Sequence, residues 1–434
     1  MLLIGIVMCA VVFLIVLGLP IMYSFLAGVF IMTLRLGYNP SFLLPYGFDT
    51  TSSVLLLCIP LYVCVGSIME KSNIGASLVD FVDLFVGKVR GGLGVVAVVT
   101  SAVFGSISGS ATATLTCIGS VVLPKMYKNG YPRGHAAALL THACPLGLLI
   151  PPSYSMIIYA WVAKQSILAC FLATVLPGIA LTIALSLTNL VMLRKDENII
   201  LPEKVSREEF LKEFRKRSKA SIPAFLMPVI VLGGIYSGTF TPTESAAIAV
   251  FYAIPVGMFI YKRLNMKALY ETFITAASTT GVVMVMIFGM MILSRLLIMQ
   301  NLPGMITEFL TGISQNPRVI LLFVNLLLLF LGMIMDDTSA MLLSVPILVP
   351  ITSHFGVHPV HLGAIVGVNL GLGLITPPCA PMLYLGARVA KVPFIEMLRP
   401  TLIFIIFAWL PTLVLVTNFP ELALWLPRLV LGNV

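Results

Sequence analysis

The chain has 434 residues, 59% of them apolar and only 10% charged, with a mean hydropathy of +1.06 and a net charge of +9. A soluble domain carries about 25% charged residues, so this composition excludes an ordinary soluble globular protein and places the chain in a bilayer. The seven cysteines stand singly in apolar runs without a C-x-x-C pair, which points to packing rather than to disulfides or a metal.

The first apolar segment, 2–17, has no positive residue before it and no small-x-small pattern after it, so it reads as a span rather than a signal peptide. Segments 54–69, 171–193, 225–235, 281–293 and 402–416 lie in long apolar stretches near the ~20 residues that cross a hydrocarbon core. In all, about ten spans plus two shorter pairs are expected. The positions of the basic residues argue against a nucleic-acid partner and report orientation instead. Segments 70–90, 124–134, 194–219, 262–267 and 388–399 hold 3, 3, 9, 3 and 3 of the Lys and Arg, or 21 of 26. With these on the cytoplasmic side, the positive-inside rule puts both termini outside.

Segments 70–90 and 124–134 then share a side, so the chain between them must enter and return. With Gly105-Ser-Ile-Ser-Gly-Ser110 at its middle, it reads as a re-entrant helical hairpin over about 91–123. The same stretch occurs twice. Shifted by 226 positions, Phe104, Thr112, Pro124, Gly130, His135, Gly147, Pro151 and Pro152 fall on Phe330, Thr338, Pro350, Gly356, His361, Gly373, Pro377 and Pro378. The second hairpin, about 319–351, has Met335-Asp-Asp-Thr338 at its middle and is followed by His354, His358 and His361 instead of Lys125, Lys128 and Arg133. The two hairpins therefore enter from opposite sides, as an inverted repeat of two five-span halves requires.

The domain reading follows. Residues 1–193 form the first repeat, with scaffold helices over about 1–69, the hairpin, and a broken helix over about 135–163. Residues 220–434 form the second, with scaffold helices over about 220–298 and a broken helix over about 361–388. Between them, 194–219 is a cytoplasmic connecting segment. Its Arg207-Glu-Glu-Phe-Leu-Lys-Glu-Phe-Arg-Lys-Arg217 carries an apolar stripe of Phe210, Leu211 and Phe214, which suits a basic amphipathic helix lying on membrane lipid. The expected fold is an all-α polytopic membrane protein.

Non-helical backbone at membrane depth is tolerated only where protein or a polar cavity satisfies it. Each repeat supplies two such places, a hairpin tip and a Gly-x-x-x-Pro-Pro break, and paired interruptions of this kind mark the binding sites of secondary transporters. Freed carbonyls with Ser and Thr hydroxyls make a hard-oxygen shell suited to Na+. The candidates are Ser106, Ser108, Gly109, Thr112, Gly147 and Pro151 in the first half, and Gly332, Asp337, Thr338, Gly373, Thr376 and Pro377 in the second. Half-helix amino ends nearby can face an anion, with Ser108, Ser110, Ser153, Ser155 and Asp336 as substrate candidates. Arg295 can meet a substrate carboxylate or extend to the interface. Asp336 and Asp337, costly at membrane depth, call for a cation, a proton or a water-filled path. Glu244, just after Pro242, also suits a helix-start acid with amide contacts. His135, His142 and His361 lack metal-ligand spacing, and no P-loop or catalytic constellation is present, so an enzyme is not expected and energy must come from outside, most simply an ion gradient.

Phe104-Gly-Ser-Ile-Ser-Gly-Ser-Ala-Thr-Ala113, Gly147-Leu-Leu-Ile-Pro-Pro-Ser153, Phe240-Thr-Pro-Thr-Glu-Ser245, His358-Pro-Val-His361 and Asn369-Leu-Gly-Leu-Gly-Leu-Ile-Thr-Pro-Pro378 together resemble the large membrane subunit of tripartite ATP-independent periplasmic (TRAP) transporters. The resemblance runs the whole length. It implies a Na+-driven, elevator-type importer of an organic anion in the bacterial inner membrane, working with a small four-helix membrane subunit on a separate chain and a soluble periplasmic substrate-binding protein. Ser108 and Ser110 match the family's hairpin serines, Ser153 follows the first Pro-Pro, and Asp336 matches the acid that starts the second hairpin motif. Where relatives often have Asp-Pro-Thr, this chain has Asp336-Asp337-Thr338. The alternative is a self-sufficient Na+/carboxylate symporter of the same general architecture.

Overall fold

The computed structural model describes residues 2–72, 74–86, 89–200 and 207–432, and these contain helices, turns and connecting loops but no strand. An all-helical chain is what a bilayer demands of so apolar a sequence, because each helix satisfies its own backbone groups where no water is available. Among the described residues seven helices are long and apolar enough to cross a membrane, and eight if Arg133–Leu149 and Tyr154–Ala163, bent by 45°, count as one span. This is fewer than the number of apolar runs in the sequence. The first two helices, Leu2–Val16 and Ile21–Leu36, are separated by Leu17, Gly18, Leu19 and Pro20, so each is shorter than a full span.

Helix starts are fixed by local chemistry. Ser166, Asn265 and Asn316 each accept a backbone N–H with the side-chain oxygen at the head of Ile167–Leu193, Met266–Met299 and Pro317–Ile334. Thr241 and Glu244 form a reciprocal capping box at the head of Pro242–Pro255. The Glu244 carboxylate accepts the Thr241 N–H at 2.8 Å, and Thr241 Oγ1 accepts the Glu244 N–H at 3.3 Å. Glu244 is thus a cap. Thr241→Ala is expected to lower stability by about 1 kcal/mol, read by thermal unfolding, and to leave transport unchanged.

The stretch after 194 differs from a free-standing surface helix. Residues 201–206 and the side chain of Phe210 lie outside the described residues, but from Arg207 one continuous helix runs to Tyr236. Its basic first turns are therefore the end of a span, and of the apolar stripe Phe214 meets protein whereas Leu211 is exposed. Phe214 packs on Phe81 and Phe85, with ring centroids 6.3 and 5.9 Å apart, on the helix Ile74–Val86. Arg217 donates to the Asp80 carbonyl at 3.0 Å and to Glu213 at 2.9 Å. The same end holds Lys125 against Asp80 at 2.6 Å.

At the centre lie two helical hairpins and two interrupted helices. The first hairpin is Gly92–Ser108 with Ala111–Lys128, followed by Arg133–Ala143, Leu146–Leu149 and Tyr154–Ala163. The second is Pro317–Ile334 with Asp337–His354, followed by Pro359–Leu374 and Pro381–Ala390. Arg133–Ala143 and Pro359–Leu374 are buried along nearly their whole length, whereas only 28% of the apolar window of Leu211–Tyr236 is buried. Arg133–Ala143 and Pro359–Leu374 thus lie in the interior, whereas the hairpin arm Pro317–Ile334 is buried over only 33% of its apolar window. Two histidines tie interrupted helices to spans. His135 meets Asn189 at 3.0 Å, and Asn189 in turn donates to the Gly91 carbonyl at 2.8 Å. His361 meets the Val416 carbonyl at 2.8 Å. His358 heads Pro359–Leu374 and accepts the Val360 N–H on Nδ1 at 3.2 Å. Burial, followed by the Arg428 charge, lowers the proton affinity of its imidazole, which suits an acceptor.

Candidate functional site

Each hairpin touches its own broken helix through glycines. A Cβ at Gly105 would lie 2.5 Å from the Gly147 Cα, and one at Gly373 would lie 2.6 Å from the Gly332 Cα. Backbone meets backbone there, which brings main-chain carbonyls and amides of two elements to one place. Both Pro-Pro bonds, Pro151-Pro152 and Pro377-Pro378, are cis.

The first tip turns at Gly109, which is left-handed (φ 63°) and donates its N–H to the Gly105 carbonyl at 2.7 Å. Ser110 then takes extended backbone and caps Ala111–Lys128 through the Ala113 N–H at 3.4 Å. Ser108 is buried beside it, with its Oγ 3.2 Å from Thr114 Oγ1. Ser106 donates to the Val103 carbonyl at 2.7 Å, and Ser110 Oγ lies 2.9 Å from the exposed Thr112 Oγ1. A hydroxyl whose proton is held by a carbonyl presents its lone pairs outward, as a cation ligand must. The tip rests on the first break, because a Cβ at Gly109 would sit 3.3 Å from the Tyr154 ring and 3.4 Å from the Tyr154 nitrogen.

The second tip turns at Met335 and Asp336. Asp336 occupies the position that the 226-residue shift assigns to Ser110, and it plays the same part. It caps Asp337–His354 through the Ser339 N–H at 3.3 Å and also accepts from the Ser339 hydroxyl. Asp337 is buried, and its carboxylate accepts from Ser155 Oγ at 2.6 Å. Thr338 donates to the Tyr154 hydroxyl at 3.3 Å. The start of Tyr154–Ala163, from the first half, therefore meets the start of Asp337–His354, from the second. Each helix start carries roughly half a positive charge. Two of them converge here, so the place favours carboxylates, its own or a ligand's. Ser153, fully buried at the same point, has a hydroxyl without a hydrogen-bond partner.

The family description "Tripartite ATP-independent periplasmic transporter, DctM component" matches residues 7–422. The sialic acid TRAP transporter large permease protein SiaM of Vibrio cholerae is 36% identical over 96% of this chain and 96% of its own length. The C4-dicarboxylate TRAP transporter large permease protein DctM of Pseudomonas aeruginosa is 34% identical over 88% of each chain. The chain belongs to the DctM family of TRAP transporter large permeases. It is accordingly a transporter permease subunit and not an enzyme. In fold it is like the Alcanivorax borkumensis YdaH transporter, whose crystal structure superposes with a TM-score of 0.62 over 90% of both chains at 14% identity.

In this TRAP permease the structure brings Ser153, Ser155, Asp336, Asp337 and Thr338 together, and sets Ser106, Ser108, Gly109, Ser110, Thr112, Gly147 and Pro151 in the adjoining hairpin and break. Gly332, Gly373, Thr376 and Pro377 form the matching set in the second half, where Thr376 donates to the Leu372 carbonyl at 2.6 Å. Arg295 stands apart from this grouping. It is exposed and lies over the Tyr46 ring at 5.4 Å, on the helix Pro40–Thr51. Two contributors lack a sequence signal that singles them out as site residues: the Tyr154 hydroxyl and Gly66, where a Cβ would lie 2.8 Å from the Ser108 carbonyl oxygen; Thr114, a hydroxyl of the first tip, donates to the Ser110 carbonyl at 2.8 Å. Among the described residues no group of three His, Cys, Asp or Glu is placed to hold a metal. The oxygens available are hydroxyls, main-chain carbonyls and the Asp336 and Asp337 carboxylates, hard donors and not the nitrogen and sulfur ligands typical of a transition metal.

Proposed function

We propose that this chain is the transport subunit of a Na+-coupled TRAP system in the bacterial inner membrane. It takes an organic anion from a periplasmic binding protein and works beside a separate small four-helix membrane subunit. The observation that carries this reading is the buried meeting of Ser153-Tyr154-Ser155 with Asp336-Asp337-Thr338, two helix starts from opposite halves of the chain. Converging helix starts with a free hydroxyl suit a carboxylate ligand. Na+ would be held by carbonyls and hydroxyls of Ser106, Ser108, Gly109, Thr112, Gly147 and Pro151, and by those of Gly332, Asp337, Thr338, Gly373, Thr376 and Pro377. The relatives named above are a sialic acid and a C4-dicarboxylate permease, two dissimilar anions, so the ligand class supported is an organic carboxylate.

The two halves are related as an inverted repeat, with both termini periplasmic. The hairpins and broken helices move together as an elevator against the long spans. The 226-residue match, the basic residues after the first hairpin and their absence after the second support this arrangement.

In proteoliposomes, uptake is expected to require Na+ and to be indifferent to ATP. Ser108→Ala is expected to raise the half-saturating Na+ concentration about tenfold, which corresponds to ~1.4 kcal/mol of lost ion affinity. Uptake unchanged when choline replaces Na+ would remove the ion from the mechanism.

A further inference from the structure

Asp336 and Asp337 stand side by side at the second hairpin tip but are not equivalent. Asp336 has a structural task, since it caps Asp337–His354 by accepting the Ser339 N–H at 3.3 Å and the Ser339 hydroxyl. Asp337 has none. The 226-residue shift places it on Ala111, and the first hairpin starts the helix Ala111–Lys128 with the Ser110 cap and no acid. The fold therefore does not need a carboxylate at 337. Asp337 is nonetheless buried, with one side-chain hydrogen bond, from Ser155 at 2.6 Å, and among the described residues no Lys, Arg or His forms an ion pair with it. On the facing break, two residues before Ser155, the fully buried Ser153 hydroxyl lacks a partner. We infer that Asp337 is a specificity-determining residue that restricts the ligand to a single negative charge, so that the site takes an organic monocarboxylate and rejects a dicarboxylate of the same size.

This inference rests on the carboxylate site proposed above and adds the charge of its ligand. Two helix starts, at roughly half a positive charge each, together offer about one unit, and Asp337 already draws on it. One ligand carboxylate is met by the free Ser153 hydroxyl, with Na+ as the balancing charge. A second has no further positive group to meet, because Arg295 rests on the Tyr46 ring instead. It faces Asp337 where water does not screen the repulsion between like charges. A repulsive group of this kind refuses a competitor that otherwise fits. An amide in place of the second carboxylate keeps the size and donates to Asp337.

The test uses pairs of matched size that differ in charge: succinamate and succinate, glutaramate and glutarate, gluconate and glucarate. The full chain in nanodiscs with saturating Na+ is titrated with each, and binding is read as the rise in unfolding temperature. The monoanion is expected to reach half its effect at a concentration about tenfold or more below that of its dianion. Asp337→Asn, similar in shape and without charge, is expected to bring the two within about threefold by tightening the dianion, which loss of a merely structural group does not do. Asp337→Ala, which copies the first hairpin, is expected to do the same and serves if the asparagine variant does not fold. Asp337→Glu keeps the preference, and Asp336→Asn shifts it less than Asp337→Asn. Dianions bound as tightly as monoanions, or a preference unchanged in both neutral variants, would overturn the assignment and leave the carboxylate site standing. If no member of any pair stabilises the chain in Na+, the carboxylate site itself is refuted and the assignment falls with it.

Discussion

Valine at Gly105 or at Gly373 is expected to abolish folding. At both positions the atom that a Cβ would meet belongs to backbone, at 2.5 Å in the first half and 2.6 Å in the second, below any real Cβ contact. Backbone on both sides is fixed by its helix, so neither partner can rotate away as a side chain would. Overpacking an ordinary core costs about 1–3 kcal/mol, and a clash that must separate two helices lies at or beyond the top of that range. Gly281→Val provides the control. It has the same chemistry in a long helix but open space around it, so it bears only the propensity difference of a few tenths of a kcal/mol. Detergent-solubilised yield and thermal unfolding read the result. A Gly105→Val chain that unfolds at the wild-type temperature would mean that the hairpin and the broken helix are not packed as described.

Ser155→Ala is expected to lower uptake at least tenfold while much of the folded yield remains. The hydroxyl donates to the buried Asp337 carboxylate at 2.6 Å, and a hydrogen bond to a charged group contributes about 1.5–3 kcal/mol. Its loss leaves a buried acid without that donor at the place where the two halves join. Ser155→Thr, which keeps the hydroxyl, should restore most of the activity. Asp337→Asn keeps an acceptor for Ser155, so the double variant Ser155→Ala with Asp337→Asn is expected to lose less than the two single losses multiplied together, as residues sharing one bond do. Asp336→Asn behaves differently, because asparagine caps a helix about as well as aspartate and the cap on Ser339 survives. Equal losses at Asp336 and Asp337 would contradict this division of roles.

Much of this organisation is legible in the sequence, and what is not has physical reasons. Small polar residues at 105–110 and the Pro-Pro pairs mark where helices stop, since glycine allows a left-handed turn and proline removes a donor. The far ends of the hairpins are less legible. Pro124 and Pro350 suggest helix ends near 123 and 351, yet both prolines sit inside helices that run to Lys128 and His354. What stops those helices is a pair of left-handed glycines, Gly130 and Gly356, just beyond them. A proline near a helix end costs little more than one hydrogen bond, whereas a positive φ redirects the chain. The pairing of Ser155 with Asp337 joins residues 182 apart, and no local pattern in one sequence encodes it. Tyr154 and Gly66 are likewise ordinary residues made relevant by what packs against them. Arg295 shows the converse. An arginine near a span end satisfies a search for an anion partner, but its charge rests on a tyrosine ring instead.

The most direct measurement is reconstitution of this chain in proteoliposomes with an imposed inward Na+ gradient, with and without a small four-helix subunit and a periplasmic binding protein loaded with radiolabelled anion. The predicted result is uptake only when all three proteins and the Na+ gradient are present, with the chain alone at background. Na+-driven uptake by the chain alone, from free anion and without a binding protein, would contradict it and identify a self-sufficient symporter.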